Sequence, residues 1–494
     1  MAQHNTIKWV GFFLIALASW FSLGYHHPDE YFQIFEFASW RAGITPAEDL
    51  PWEFNRHMRP TLQPSLVWAA IKISEGLGWF HPFYLMTFFR FLAGLLFFTT
   101  ALSCWNTFAG DFFPKTRQTI VLFLALWLYT TPYLAVRFSS ENVSGCLLFL
   151  SLALLKDAEK KSSGRLMAAG ALLGLSFHAR YQIAFALLGL SLWMLVRYRR
   201  AWRVPLLTAL GGLIALGGGL LLDAWFYGKW VMPPYNYYLE NIVHQKAVAF
   251  GVKPWYYYLK CLAWGPLLAL GPFVILGYLL LLVRFPGHAF TTTSLPFLLA
   301  HSLVGHKELR FLFPMYLLVP YVVGLAMEFL GRLSALKKVG QALLKPAVGA
   351  NFLLMGWTVF LPPSDNFWFL KNLYEFPLPQ GATVVYDEEH HFLSPYDDGA
   401  LKFTFLQPRQ RRVQFIPLVR WLKLGSNPPC TAFITEVSRE EALRRQAEPR
   451  CGPLRIAYQN LYAPLLRKIR EQGFHLPHNV RAYVIYIPDN ITAL

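Results

Sequence analysis

The chain has 494 residues, of which 55% are hydrophobic, 17% aromatic and only 15% charged, with a mean hydropathy of +0.34 and a formal net charge of +17. An ordinary soluble domain carries about 25% charged residues, so this composition excludes a soluble globular protein and predicts a polytopic α-helical membrane protein. The basic residues sit in short loops between apolar runs rather than on one face, which marks cytoplasmic loops and argues against a nucleic-acid partner.

Apolar runs at 7–25, 82–104, 119–136, 142–155, 166–178, 181–196, 205–225, 262–283, 290–304, 311–330 and 345–361 are the candidate spans, about eleven in all. Several fall short of the ~20 residues of a straight span, so they are expected to be tilted, broken or buried among neighbours. The runs 166–178 and 181–196 flank a polar corner and are either two spans or one long helix with a buried break. The first run lacks a small-residue cleavage site and is expected to be retained as a span.

With the N-terminus inside, eleven spans place four basic loops in the cytoplasm: Lys115 and Arg117; Lys156, Lys160, Lys161 and Arg165; Arg197, Arg199, Arg200 and Arg203; and Arg332, Lys337, Lys338 and Lys345. The same count puts loops 25–81 and 225–261, the polar string starting at His306 and the C-terminal tail outside.

The first outer loop, about 55 residues, is unusually long for a connection. Helical periodicity predicts helices over 29–41 and 61–77, and Trp40, Trp52, Trp68 and Trp79 suit the membrane surface; a soluble surface loop is the alternative. Loop 225–261 is rich in Tyr and Trp, including Tyr235 and Tyr238, which pack equally well on lipid headgroups or on sugar rings. A helix over 235–250 would add Glu240, His244 and Lys246 at the same level.

From about residue 362 charge and Gly/Pro punctuation rise, which predicts a soluble α/β domain of ~130 residues over 362–494 after a membrane domain over 1–361. Strands are expected at 382–386, 413–417, 432–435 and 482–487, and helices at 439–446 and 461–472. No cysteine pair has CxxC spacing, so zinc and redox motifs lack support. Cys430 and Cys451, the two cysteines of this tail, would form a disulfide in an oxidising compartment; two buried free thiols are the other possibility. Asn142-Val143-Ser144 and Asn490-Ile491-Thr492 are glycosylation sequons of a kind that arises by chance.

Two polar strings carry the chemistry. His26-His27-Pro28-Asp29-Glu30-Tyr31-Phe32-Gln33 follows the first span, and His306-Lys307-Glu308-Leu309-Arg310-Phe311-Leu312-Phe313-Pro314 precedes a late one. Charged groups at a bundle rim are costly unless they have a task. A carboxylate within hydrogen-bond reach serves as a general base. Lys307 and Arg310, three apart, share a helix face and would hold a phosphate, with His306 as a further donor. Structural alternatives stand beside each: acids favouring a helix N-terminus, or basic chains reaching lipid headgroups. Arg137 and Arg90, in or near apolar runs, and His178 and Arg180 on the outer side are further phosphate or structural candidates.

The first string resembles the His-Pro-Asp-Glu motif of glycosyltransferase family 22, the dolichol-phosphate-mannose-dependent α-mannosyltransferases of GPI-anchor and N-glycan assembly within the GT-C superfamily. The second is similar to that family's His-Lys-Glu-Glu-Arg-Phe-Leu-Phe-Pro motif, with Leu309 in place of the second Glu. The resemblance extends to the order of motifs and the tail and so covers essentially the whole chain. It implies a GT-C membrane fold and transfer of mannose from a polyprenyl-phosphate donor to a lipid-linked or surface glycan on the non-cytoplasmic face. It also implies Asp29 as base with Glu30 orienting or sharing that role, while His27, Glu308, Tyr235 and Tyr238 are assigned to substrate contacts. Transfer of another sugar to lipid A or protein is the first alternative, and a glycolipid flippase the second. Asp29-Glu30 lacks D-x-D spacing, so no metal or other cofactor is expected; the tail cluster Asp387-Glu388-Glu389, His390, His391 and Asp397-Asp398 suits a solvated acidic turn better than a metal site. The compact loops and lack of a retrieval signal favour a bacterial inner membrane over the endoplasmic reticulum.

Overall fold

The structure, a computed structural model, describes residues 2–264, 270–360, 366–386, 402–408, 413–424, 430–459, 464, 468 and 483–489. It starts with helix α1 (Ala2–Phe21). The loop after it carries α2 (Pro28–Tyr31), α3 (Phe37–Ala42), α4 (Trp52–Asn55) and α5 (Leu62–Gly76). Then α6 (Pro82–Phe112), α7 (Gln118–Trp127), α8 (Thr130–Ala135), α9 (Ser140–Leu154), α10 (Ser163–Ala179), α11 (Ala184–Arg197) and α12 (Arg203–Tyr227) run back and forth. After α13 (Pro233–Tyr238) come α14 (Tyr257–Trp264), α15 (Gly271–Arg284), α16 (Ala289–Leu303), a 3-10 segment Leu309–Leu318 continuing into α17 (Val319–Gly331), and α18 (Ser334–Phe360). Counting α7 with α8, α14 with α15, and Leu309–Gly331 as single passes, the described residues make eleven passes. Three helical stretches, Pro82–Phe112, Arg203–Tyr227 and Leu309–Gly331, are long and apolar enough to cross a membrane unaided.

Contacts between helix ends define the two ends of the bundle. At one end Asp111 of α6 meets Lys156 at 2.5 Å and His288 at 3.2 Å, and Arg203 meets Ser163 at 3.1 Å. The basic loops lie at this end. At the other, the ends of α1, α10 and α12 meet the starts of α5, α6 and α9 and the His306 string.

Two points that the hydropathy reading left open have local causes. The run 119–136 is broken: Leu128 is extended (φ −63°, ψ 136°) between α7 and α8. A break inside a bundle frees backbone groups that need partners. Asn351 of α18 supplies them, accepting from the Tyr129 N–H at 2.9 Å and donating to the Trp127 carbonyl at 2.8 Å. The corner at residue 180 separates two passes, because Arg180 is extended, α10 packs on α9 and α12, and α11 packs on α16. The α10–α12 crossing brings backbones together: a Cβ on Gly170 would lie 1.9 Å from the Thr208 carbonyl oxygen, so only glycine fits there.

The first outer loop differs from expectation. The predicted helix 29–41 is an α-turn, a π-segment Phe32–Glu36 and α3, ended by Gly43 at φ +84°. Tyr31, Phe32, Ile34, Phe35 and Phe37 are buried rather than spread on a membrane surface. Phe37 packs against Phe54 at 5.0 Å, and much of the remaining cover comes from the C-terminal part of the chain. Phe403 stacks on Phe32 at 5.4 Å and Phe405 on Phe35 at 6.2 Å, while Phe367 of α19 (Asn366–Glu375) packs edge-on against Tyr25 at 5.2 Å. In contrast α5 keeps Leu66 and Ile73 exposed, and Leu77 and Trp79 beyond its end are exposed as well, as an interfacial helix requires. The stretch 235–250 is α13, a π-turn and a 3-10 turn rather than one helix.

Beyond the bundle, β1 (Thr383–Tyr386), β2 (Gln414–Pro417), β3 (Ala432–Glu436), β4 (Leu454–Gln459) and β5 (Tyr483–Pro488) form a mixed sheet in the order β2-β1-β3-β5-β4. β1 is parallel to β2 and β3, and β5 is antiparallel to β3 and β4. Helix α20 (Leu418–Leu422) follows β2, and α21 (Glu440–Cys451) fills and outruns the predicted helix 439–446. The predicted helix 461–472, apart from residues 464 and 468, and the acidic cluster at 387–398 lie outside the described residues. Cys430 and Cys451 are joined in a disulfide with Cα atoms 5.7 Å apart. Closing a loop of that size stabilises by ~3 kcal/mol on the chain-entropy model. Asn142 is buried and its amide donates to the Ala135 and Arg137 carbonyls, so its sequon is not presented to solvent.

A single buried carboxylate ties the first outer loop to segment 402–408. Glu36 accepts from Tyr31 Oη (2.7 Å), Thr45 Oγ1 (2.6 Å) and the Phe405 N–H (3.0 Å). Nearby Asp49 accepts from Thr404 Oγ1 at 2.9 Å and pairs with Lys402 at 3.3 Å. Burial outweighs these donors and raises the Glu36 carboxyl to about 7, with Asp49 adding to the rise. An unfolded Glu titrates near ~4.3, so the docked form binds the proton more tightly. Its stabilisation is complete below that pH and declines as pH rises towards about 7. Hydrogen exchange at the Phe405 amide, corrected for intrinsic rates, is therefore expected to be faster at pH 8 than at pH 5. Glu36→Gln should flatten that difference; an unchanged pH dependence in the variant would assign it to another group.

Candidate active site

The site forms where the two polar strings meet. Helix α2 is built to present Asp29. His27 is its N-cap and accepts from the Asp29 N–H at 3.2 Å, Pro28 occupies the first helical position, and Glu30 reaches back to accept from the His26 N–H at 2.9 Å. This reciprocal arrangement resembles a capping box. It turns Glu30 inward, where burial raises its carboxyl, and leaves Asp29 28% exposed at the rim. His26 hydrogen-bonds Tyr133 Oη at 2.9 Å, and burial, then Arg137, lowers its imidazole to about 4.

Arg310 is the hub. Its Nη2 is 2.8 Å from Asp29 Oδ2, its Nη1 3.2 Å from Glu141 Oε1 and its Nε 2.5 Å from Glu308 Oε2. Three carboxylates from three distant segments thus share one guanidinium, whose planar fork supplies a separate N–H to each. Glu141, in the first turn of α9, also pairs with Arg180 Nη1 at 2.9 Å. His27 Nε2 lies 3.5 Å from Glu308 Oε2, and His306 Nε2 lies 2.9 Å from Glu308 Oε1. Burial pushes the Asp29 carboxyl up, but the Arg310 charge and the His27 hydrogen bond outweigh it and hold Asp29 well below the usual carboxylate range. The same opposition, with Arg310 foremost, leaves Glu308 at about 2. Both carboxylates are therefore ionised at neutral pH.

The other named residues have different surroundings. Lys307 points its ammonium at the carbonyls of Lys253 (2.9 Å), Val304 and Gly305, closing the C-terminal end of α16. Arg137 is fully buried and donates to the carbonyls of Gly24, Ser22 and Tyr133 and to Ser22 Oγ, closing the end of α1. Arg90 donates to the Ser19 carbonyl at 2.9 Å. His178 sits 3.5 Å from Asp223, both sealed from solvent, and Asp223 also accepts from Thr61 Oγ1 at 2.7 Å. Tyr235 and Tyr238 are 56% and 52% exposed, while Tyr237 between them turns to the pocket.

That pocket is lined by Asp29, Arg59, Glu141, Arg180, Tyr181 and Tyr237 among others. Sequence reading passed over Glu141, Arg59 and Tyr237. Glu141 had a usable signal, an acid in the first turn of a span at the same rim as Asp29. Arg59 and Tyr237 had none beyond their loops. Among the described residues no three His, Cys, Asp or Glu side chains gather as a metal site.

The profile described as the Alg9-like mannosyltransferase family matches residues 8–361. A Schizosaccharomyces pombe protein, described as a probable Dol-P-Man:Man(7)GlcNAc(2)-PP-Dol alpha-1,6-mannosyltransferase, is 34% identical over 135 residues, 27% of this chain and 24% of its own. GPI mannosyltransferase 3 of Trypanosoma brucei brucei is 37% identical over 120 residues, 22% and 21% of the two chains. The Bos taurus GPI alpha-1,2-mannosyltransferase 3 is 24% identical over 360 residues, 70% of this chain and 62% of its own. The matches thus span about a quarter of the first two relatives and less than two thirds of the third. In fold, the chain is similar to the crystal structure of ArnT from Cupriavidus metallidurans bound to undecaprenyl phosphate, with a TM-score of 0.56 at 14% identity over 97% of each chain.

Proposed function

The chain belongs to the Alg9-like mannosyltransferase family, and on that premise we propose that it transfers mannose from a polyprenyl-phosphate-mannose donor to a lipid-linked or surface glycan at the non-cytoplasmic face of its membrane. The observation that carries this reading is Asp29, ionised and partly exposed in the wall of a pocket on a bundle rim, held by Arg310 of the second string.

In this reaction the acceptor hydroxyl attacks the anomeric carbon of the donor sugar. Its proton passes to an Asp29 carboxylate oxygen as the new glycosidic bond forms. The bond from the anomeric carbon to the phosphate oxygen breaks, and the electron pair stays on the phosphate. Cationic side chains in the pocket meet that charge. Glu30 acts through the cap of α2 rather than on the acceptor. The Cys430–Cys451 disulfide supports placing the sheet on the same, oxidising side of the membrane.

The test is direct. Purified protein in nanodiscs is expected to move labelled mannose from a polyprenyl-phosphate donor onto a lipid-linked glycan panel. Transfer confined to another polyprenyl-phosphate sugar would replace mannose in the reading, and lipid translocation without transfer would replace the enzyme with a flippase.

A further inference from the structure

The cations of the second string, and Arg137, are already committed. Arg310 gives its Nε, Nη1 and Nη2 to three carboxylates, Lys307 gives its ammonium to backbone carbonyls, and Arg137 caps α1. A phosphate arriving at any of them would have to displace an acceptor that is already charged or backbone-bound. Two other guanidiniums differ. Arg59 and Arg180 line the pocket beside Asp29, and each keeps a buried Nε–H that has no acceptor among the described residues.

Both are held in place by their remaining groups. Arg59 gives Nη2 to Glu53 at 3.2 Å and lies 5.6 Å over the Tyr237 ring. Arg180 gives Nη1 to Glu141 and to Ser140 Oγ at 3.0 Å and lies 5.2 Å over Phe311. Orientation is therefore set before any ligand arrives, which lowers the ordering cost of binding. Each guanidinium still carries a buried Nε–H with an unmade hydrogen bond, which an anion in the pocket would satisfy.

We propose that Arg59 and Arg180 form the clamp for the donor's phosphate, and that Arg310 serves instead as the positioning residue of Asp29. The proposal rests on the functional reading above and names the residues that recognise the leaving group. As the anomeric carbon–oxygen bond breaks, the phosphate diester becomes a monoester with one more negative charge, and the two Nε–H groups of the pocket wall are the donors free to meet it. The acceptor's proton meanwhile goes to Asp29, so charge separates across the pocket between base and clamp.

The test measures binding of a short-chain polyprenyl phosphate and of the neutral polyprenol of equal length to the full chain in nanodiscs. Wild type is expected to prefer the phosphate. Arg59→Gln and Arg180→Gln should each shrink that preference by about 10-fold or more, the scale of a lost charge-assisted hydrogen bond. If Arg180→Gln fails to fold, because Glu141 loses a partner, Arg59→Gln decides the matter alone. A wild type with no preference for phosphate overturns the functional reading and the clamp together. A wild-type preference that survives both substitutions overturns the clamp only, and the donor-sugar assay above then stands on its own.

Discussion

Asp29→Asn is expected to lower turnover at least ~10²-fold, the lower range for loss of a general base, while the protein stays folded. Asparagine keeps the backbone N–H that donates to His27, so the start of α2 survives. Arg310 keeps Glu141 and Glu308, so the hub survives as well. What disappears is the partly exposed carboxylate that takes the acceptor's proton in the proposed reaction. Glu30→Gln gives the contrast. Its effect should be smaller in turnover, because Glu30 faces the His26 N–H and not the acceptor. The measurement is single-turnover transfer by variants whose melting temperatures have been compared with wild type. A folded Asp29→Asn enzyme at near-normal rate removes Asp29 from the base role, and a larger loss in Glu30→Gln would move that role to its neighbour.

Arg310→Gln should be the most damaging substitution for stability. Removing one partner of a buried ion pair typically costs ~3–5 kcal/mol, since the remaining charge is left uncompensated. Here Asp29, Glu141 and Glu308 lose their shared cation at once. The pH dependence follows from the direction of the shift. With Arg310 present the Asp29 carboxyl lies well below its ordinary value. Its contribution is therefore present above the unfolded value of ~3.9 and is lost as pH falls through the lowered one. Without Arg310 the strongest opposition to burial is gone, so that carboxyl rises, with His27 and Arg59 left to hold it down. The acidic limb of the activity profile should move to higher pH, and acid unfolding should begin at higher pH. Arg310→Lys is expected to recover little, because one ammonium cannot reproduce a three-way fork. An unchanged acidic limb in a folded Arg310→Gln protein would show that Arg310 does not set the Asp29 charge.

The membrane class, the passes and the two strings were legible in the sequence because hydropathy and capping act within a few turns of chain. His27-Pro28-Asp29-Glu30 carries its own helix start, and the apolar runs satisfy their backbone groups internally. The β4 strand was missed because it is an edge strand with Arg455 and Gln459 in it, so it lacks the apolar run that marked β1, β3 and β5. Tyr235 and Tyr238 were indistinguishable from Tyr237 by composition, and only the π-turn after α13 and the packing around Arg59 decide which ring faces the pocket.

Two of the three partners of Arg310 lie beyond any local rule, while Glu308 is its neighbour in the same string. Asp29 is 281 residues away and Glu141 is 169 away. An arginine in a rim motif is equally suited to a phosphate or to a carboxylate. The bundle decides by bringing Asp29 and Glu141 to it beside Glu308. The same packing commits Lys307 and Arg137 to backbone carbonyls and leaves the Nε groups of Arg59 and Arg180 without acceptors among the described residues. Sequence by itself therefore determined which chemistry the rim carries, because that depends on residue type and hydropathy. Tertiary structure decided which group performs which part, because hydrogen bonds reach about 3 Å and only the packed bundle sets what lies within that distance.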